Sequence, residues 1–144
     1  MAQHHKFSEK SLKHLNTCVL PLRHLCHEAL EIVPFDMTVL CGVRSKEDQE
    51  KAVREGHSKV HWPAGRHNLK PGQHYSRAVD IVPYPIDWEN TERFYVMIGV
   101  FIVLAKQHNI RLRFGADWNN NGDYRDQKFI DLPHIEVIEM DLER

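Results

Sequence analysis

The run FIDLPHIEV, residues 129–137, places Asp131 and His134 three apart among residues of strand-forming type. Carboxylates are rarely buried without a partner, so an aspartate in an apolar strand asks for one. A second carboxylate, Asp80, closes the run RAVD just after a histidine-rich segment. A catalytic zinc ion takes three protein ligands from His, Asp or Glu and keeps a fourth position for water. It lowers the pKa of that water to about 7, and a carboxylate outside the ligand set then moves the proton. The chain offers such a set: a loop histidine, Asp80 and His134 as ligands, with Asp131 as base. Taken singly, the aspartates read as turn caps and His134 as an ordinary half-buried histidine. Only the combination suggests a metal centre.

The elements that must position these residues follow from pattern. Ser8 or Ser11 can cap a first helix whose stripe runs Leu12, Leu15, Val19, Leu22, Leu25 and Leu30, with Pro21 kinking or splitting it. DMTVLCGVRS, 36–45, is a β-type run that stops at Gly42, and SKEDQEKAVREG, 45–56, starts on a capping serine and ends on glycine as a short exposed helix. Residues 57–77, rich in Pro, Gly and His, lack periodicity and form a long loop, which in a compact domain is usually functional or disordered. RAVDIVPY reads as a buried strand, and NTERFYVMIGVFIVLAKQHN as the strongest helix, capped by Asn90 or Thr91. IRLRFG and FIDLPHIEV read as two further strands separated by a polar loop. The order α-β-α-loop-β-α-β-β predicts an α+β fold, with helices on a small, mostly antiparallel sheet.

Composition narrows the classes. With 144 residues the chain suits one domain, 1–144, with one core. The 19 basic and 20 acidic side chains leave no global positive field for nucleic acid. Eleven histidines raise the expectation of a metal. Cys18, Cys26 and Cys41 lack CxxC spacing and read as reduced, buried thiols. The amino-terminal MAQHHKFSEK has no apolar segment of secretory type. The apolar run 94–105 is too short to span a bilayer and reads as a core helix.

SKVHWPAGRHN, SRAVDIVPYPIDW, LRFGADWNNNGDYRD and DLPHIEV together resemble phage endolysins of the L-alanyl-D-glutamate peptidase type. These belong to the D-alanyl-D-alanine carboxypeptidase and dipeptidase family, related to lysostaphin and the hedgehog signalling domain. The resemblance covers about Phe7 to Val137. The family pattern looks like S-x-H-x-x-G-x-A-x-D followed by [DE]-x-x-H. By that pattern Asp131 is the acidic base, and Asp80 and His134 are zinc ligands. The first half departs from it: His74 lies six residues before Asp80 and His67 thirteen. His67 sits in GRHN, similar to the family's S-[RK]-H with Gly65 in the serine's place, and requires a loop insertion, LKPGQHY. Loops absorb insertions cheaply, which favours His67 as the third ligand, with His74 the alternative. His57 and His61 read as surface residues, and His24, Cys26 and His27 as structural.

CGVRS resembles the family's G-x-R-[ST], placing Arg44 at the cleft edge to support an oxyanion or a substrate carboxylate. The resemblance implies hydrolysis of peptidoglycan stem peptides by a monomeric enzyme without membrane insertion. It would be held in the host cytoplasm until the membrane is permeabilised, and then act on the wall. A D-alanyl-D-alanine carboxypeptidase and a non-catalytic wall-binding zinc domain are the alternatives. A second metal is also expected. In DWNNNGDYRD, Asp117, Asn119, Asn121, Gly122 and Asp123 occupy positions one, three, five, six and seven of an EF-hand-like calcium loop. Lys128 stands at position twelve, and Asp126, at ten, can replace the missing closing carboxylate. Some endolysins of the resembled type look similar here and use calcium as a regulatory switch. The same residues also suit a plain Asn/Gly-rich turn.

Overall fold

A computed structural model describes residues 5–138. Its elements are α1 (Glu9–Leu15), α2 (Leu20–Ile32), β1 (Asp36–Cys41), α3 (Lys46–Arg54), β2 (Ala78–Tyr84), α4 (Thr91–Gln107), β3 (Leu112–Phe114) and β4 (His134–Val137). The four strands form one sheet in the order β1-β2-β4-β3, and every pairing is antiparallel. The fold is thus the expected α+β arrangement.

The helix boundaries have local causes. Ser8 caps α1, its Oγ accepting from Ser11 N–H at 3.1 Å. The long first helix is divided. The chain leaves α1 after Leu15, and Pro21 opens α2, where its missing N–H costs no helical hydrogen bond. Ser45 caps α3 through Asp48 N–H, and Gly56 leaves it with φ +79°, the left-handed region glycine enters without penalty.

Strand alternation divides the sheet into two chemical faces. Val79, Ile81, Ile135, Val137, Leu112 and Phe114 are buried on one face, in a single core with helical residues such as Leu22, Leu25, Met97 and Phe101. Asp80, His134, Glu136 and Arg113 occupy the intervening positions and share the other face. All but the outermost residue of β2 are buried, so the polar face is covered as well.

The last strand is shorter than its sequence suggests. FIDLPHIEV is not one strand: β4 begins at His134, and Asp131 precedes it. His134 N–H reaches back to Asp131 O at 3.2 Å, closing a turn, and Pro133 has no N–H for a ladder. Ile130, 49% exposed, is not a core residue.

Candidate metal centre

The register of β2 and β4 puts Asp80 directly opposite His134. His67 comes from the long loop and is 3% exposed. Its Nε2 lies 3.2 Å from Asp80 Oδ1 and 3.2 Å from His134 Nδ1, and His134 Nδ1 lies 3.5 Å from Asp80 Oδ1. Donor atoms held at ~2.0–2.1 Å around a tetrahedral ion are separated by roughly 3.3 Å, so the three atoms have the spacing of a ligand set. His74, by contrast, is exposed. His57 and His61 are exposed too, His61 lying on Glu50 at 2.8 Å, and His24 and His27 sit on the outside of α2.

Each imidazole is oriented by what its other nitrogen touches. His67 Nδ1 donates to Gly42 O at 2.8 Å, and His134 Nε2 to Glu136 Oε1 at 2.9 Å. Opposite tautomers are therefore set, and each turns its remaining nitrogen toward Asp80. Glu136, not singled out in the sequence, is 1% exposed. Its Oε2 pairs with Arg66 Nε at 3.0 Å and Arg113 Nη2 at 2.9 Å. Burial pushes the Glu136 carboxyl up, but the His134 hydrogen bond and the charges of His134, Arg113 and Arg66 outweigh it and hold the group below the usual range. The signal for Glu136 was its i+2 spacing from His134, which in a strand means the same face.

Arg44 Nη2 lies 3.0 Å from Asp80 Oδ2, and Nη1 donates to Gln49 Oε1 at 3.1 Å. The loop is tied down by Arg44 N–H to His67 O at 2.9 Å and by Asn68, which links Arg44 O, Gln49 and Gly65 N–H. Burial disfavours a charged Asp80, yet His67 and His134 outweigh that and hold it well below the usual carboxylate range. Burial likewise disfavours a charged His67, but Asp80 and then Cys41 hold its pKa up at about 10. For Asp131 the balance runs the other way: burial, then the Asp80 charge, push it up to about 6.

Among the described residues, two groups of side chains are compatible with a metal ion: Cys41, His67 and Asp80, and Asp80, Asp131 and His134. Cys41 is half-buried rather than a buried structural thiol. A bulge between Val39 and Cys41 shifts the register so that Cys41 faces Asp80. No residue pattern announced that bulge.

The 117–126 loop touches this cluster through Trp118, whose ring centroid lies 5.0 Å from that of His134. Asp117, 4% exposed, accepts Gly122 N–H at 2.8 Å and Asn121 N–H at 3.4 Å. Gln127 Nε2, which has two hydrogens, is surrounded by four oxygens: Asp117 Oδ1 at 3.3 Å, Asn119 Oδ1 and the Asp123 carbonyl at 3.2 Å, and Asp126 Oδ1. Asn121 Oδ1 and Asp123 Oδ1 instead accept backbone N–H groups of Asp123 and Arg125.

The fold and the convergent donors define a small α+β protein with a candidate metal centre and a partly free carboxylate, Asp131, beside it. The chain belongs to the phage L-alanyl-D-glutamate peptidase family, whose model matches residues 3–138. It is 32% identical over 139 residues to the L-alanyl-D-glutamate peptidase of Escherichia phage T5, covering 92% of this chain and 98% of that protein. Its fold is similar to the crystal structure of the Serratia marcescens L-Ala D-Glu endopeptidase ChiX. The TM-score is 0.68 at 21% identity, covering 92% of this chain and 90% of that one.

Gly115 anchors the turn that carries Asp131: its carbonyl accepts Asp131 N–H at 2.9 Å and its N–H donates to His134 O at 2.8 Å. A Cβ at this position would collide with the Asp131 carbonyl. Gly115→Ala is expected to cost about 1–3 kcal/mol of stability. By displacing His134 it should also weaken divalent-metal binding about 10–100-fold. Chemical denaturation and a metal titration of the purified variant check both.

Proposed function

We propose that this chain is a zinc endopeptidase that hydrolyses the L-alanyl-D-glutamate bond of peptidoglycan stem peptides in host-cell lysis. The carrying observation is the convergence of His67 Nε2, Asp80 Oδ1 and His134 Nδ1 within 3.2–3.5 Å beside Asp131. His67, Asp80 and His134 would hold the ion, since both imidazoles have their other nitrogen satisfied, while the Cys41 thiol donates to Gly42 O at 3.5 Å and would stay outside the set. A zinc ion in that position supplies Lewis acidity for the scissile carbonyl and makes water a stronger acid. Asp131 takes the proton of the attacking water and returns it to the leaving amine. Arg44 holds Asp80 and lies at the junction of two cavities, where it can meet negative charge developing on the carbonyl oxygen. Family membership does not favour the two alternatives, a D-alanyl-D-alanine carboxypeptidase and a non-catalytic wall-binding domain. Mass spectrometry of digested peptidoglycan tests the reading: new L-alanine carboxyl and D-glutamate amino ends support it, and released D-alanine or intact stems overturn it. Among the described residues no helix is long and apolar enough to cross a membrane.

The four oxygens around Gln127 Nε2 support calcium as a second ion in this reading. Asp117 at position one, Asn119 at three and the Asp123 carbonyl at seven are the EF-hand ligand positions, and Asp126 supplies the later carboxylate. Calcium would take the place of the Gln127 amide.

Metal analysis of purified variants separates the ligand assignments. His67→Ala is expected to lose stoichiometric zinc, because two ligands hold a catalytic ion too weakly, while His74→Ala and Cys41→Ser keep it. Zinc retained in His67→Ala and lost in either of the others would reassign the site.

Asp131→Asn should bind zinc and fold normally yet lose about 10²–10⁴-fold in turnover, since the amide cannot accept a proton. A base must be ionised to work, so activity is present above its pKa and lost below it. Asp131 sits at about 6 and a bound cation lowers it further, which places the acid limb of the pH–rate profile no higher than about pH 6. An acid limb that persists unchanged in Asp131→Asn would remove Asp131 from the mechanism.

Asp117→Ala is expected to abolish calcium binding by isothermal titration and leave zinc content unchanged. Wild-type protein showing no heat at millimolar calcium would return this loop to a plain turn.

A further inference from the structure

Two cavities meet at the metal centre, sharing Arg44, His57 and Asp131 in their walls. They differ in charge. In the first, of ≈ 430 Å³, four cations (Arg44, Lys59, Arg66 and Arg113) face two carboxylates, Asp131 and Glu136. In the second, of ≈ 650 Å³, two cations, Arg44 and Lys51, face four carboxylates: Asp48, Glu55, Asp80 and Asp131. Leu40, Trp88, Ile130 and Leu132 add apolar surface to the second cavity.

The positive charge of the first cavity is not consumed internally. Arg66 and Arg113 share one carboxylate, Glu136, so one guanidinium charge is uncompensated. Lys59 Nζ lies 5.3 Å above the Phe129 ring and Arg113 Cζ 5.9 Å from the Trp118 ring, so the aromatic walls hold cations at the cavity edge. Arg113 Nε and Trp118 Nε1 are also buried N–H groups with no hydrogen-bond acceptor in the protein. Donors and net positive charge in one cavity suit a carboxylate.

The substrate of the proposed reaction is asymmetric in the same sense. An alanyl residue on the acyl side is small and uncharged. A glutamyl residue on the amine side has two carboxyl groups, and chain continuation uses only one. We propose that the first cavity is the amine-side subsite, where Lys59 and Arg113 bind the free carboxylate of the D-glutamyl residue, while the acyl-side alanine lies toward the second cavity. This rests on the peptidase reading. It fixes the direction in which the stem peptide crosses the site, and it makes amidation of that carboxyl a determinant of which walls are cut.

The test uses zinc-loaded full-length enzyme and two disaccharide stem peptides, identical except that the free D-glutamyl carboxyl of one is a carboxamide in the other. Wild-type kcat/KM is expected to favour the carboxylate by about tenfold or more, since the amide leaves cationic donors unpaired. Lys59→Gln, at an exposed position where folding is not at risk, and Arg113→Gln should each narrow that ratio. Together they should bring it to within about twofold of unity. Lys51→Gln, in the second cavity, should leave the ratio unchanged. Equal wild-type rates on the two peptides, or a ratio that survives in the doubly substituted enzyme, overturn the subsite while leaving the peptidase reading intact. A ratio that falls in Lys51→Gln reverses the two arms. If wild-type enzyme cuts neither peptide, the peptidase reading fails and the subsite with it.

Discussion

Asp80 facing His134 across β2 and β4 is the pairing on which the rest of the site depends. In an antiparallel ladder a slip of one residue turns every side chain to the opposite face. Here it would send Asp80, His134 and Glu136 into the helix-packed core and bring Val79, Ile135 and Val137 to the polar side. The hydrophobic face therefore enforces the register, and the register aligns the chemistry. The core and the candidate metal centre are two faces of the same three-strand arrangement.

Burying that much charge requires compensation at each step. An unpaired charge left by removing one partner of a buried ion pair costs about 3–5 kcal/mol. The protein meets this with a continuous chain of contacts. Arg66 and Arg113 neutralise Glu136, Glu136 orients His134, His134 and His67 face Asp80, and Arg44 ties Asp80 to Gln49. Asn68 then joins Gln49 to the loop that delivers His67. Asp131 alone escapes full pairing, and burial beside Asp80 raises its carboxyl to about 6. A carboxylate kept out of the pairing network is suited to proton transfer, because its protonation state changes without breaking a structural contact.

Much of this was legible in the sequence. The apolar run RAVDIVPY, helical stripes, and the capping Ser8 and Ser45 each follow from local geometry, so they predict the elements. The pairing of Asp131 with His134 as DxxH and the oxygen-rich spacing at 117–126 were visible for the same reason: both are short-range patterns. The apolar character of Phe129 and Ile130 misled, because composition cannot show that Pro133 and the turn at Asp131 delay the strand to His134.

What only the tertiary structure decided depends on distance along the chain. His67 and His74 are equivalent as imidazoles, and the sequence favoured His67 only through its GRHN setting and the low cost of a loop insertion. The fold ties the loop through Arg44 N–H and Gly42 O so that His67 is buried against Asp80 while His74 is exposed. Cys41 reaches the site only through a bulge, Glu136 gains its partners from Arg66 and Arg113 on separate elements, and Gln127 enters the oxygen cluster from outside the spaced motif. Sequence determined the local periodicities and the chemical types, since these depend on neighbours a few residues away. The tertiary structure decided which distant donors converge, because loop closure and strand register set their distances.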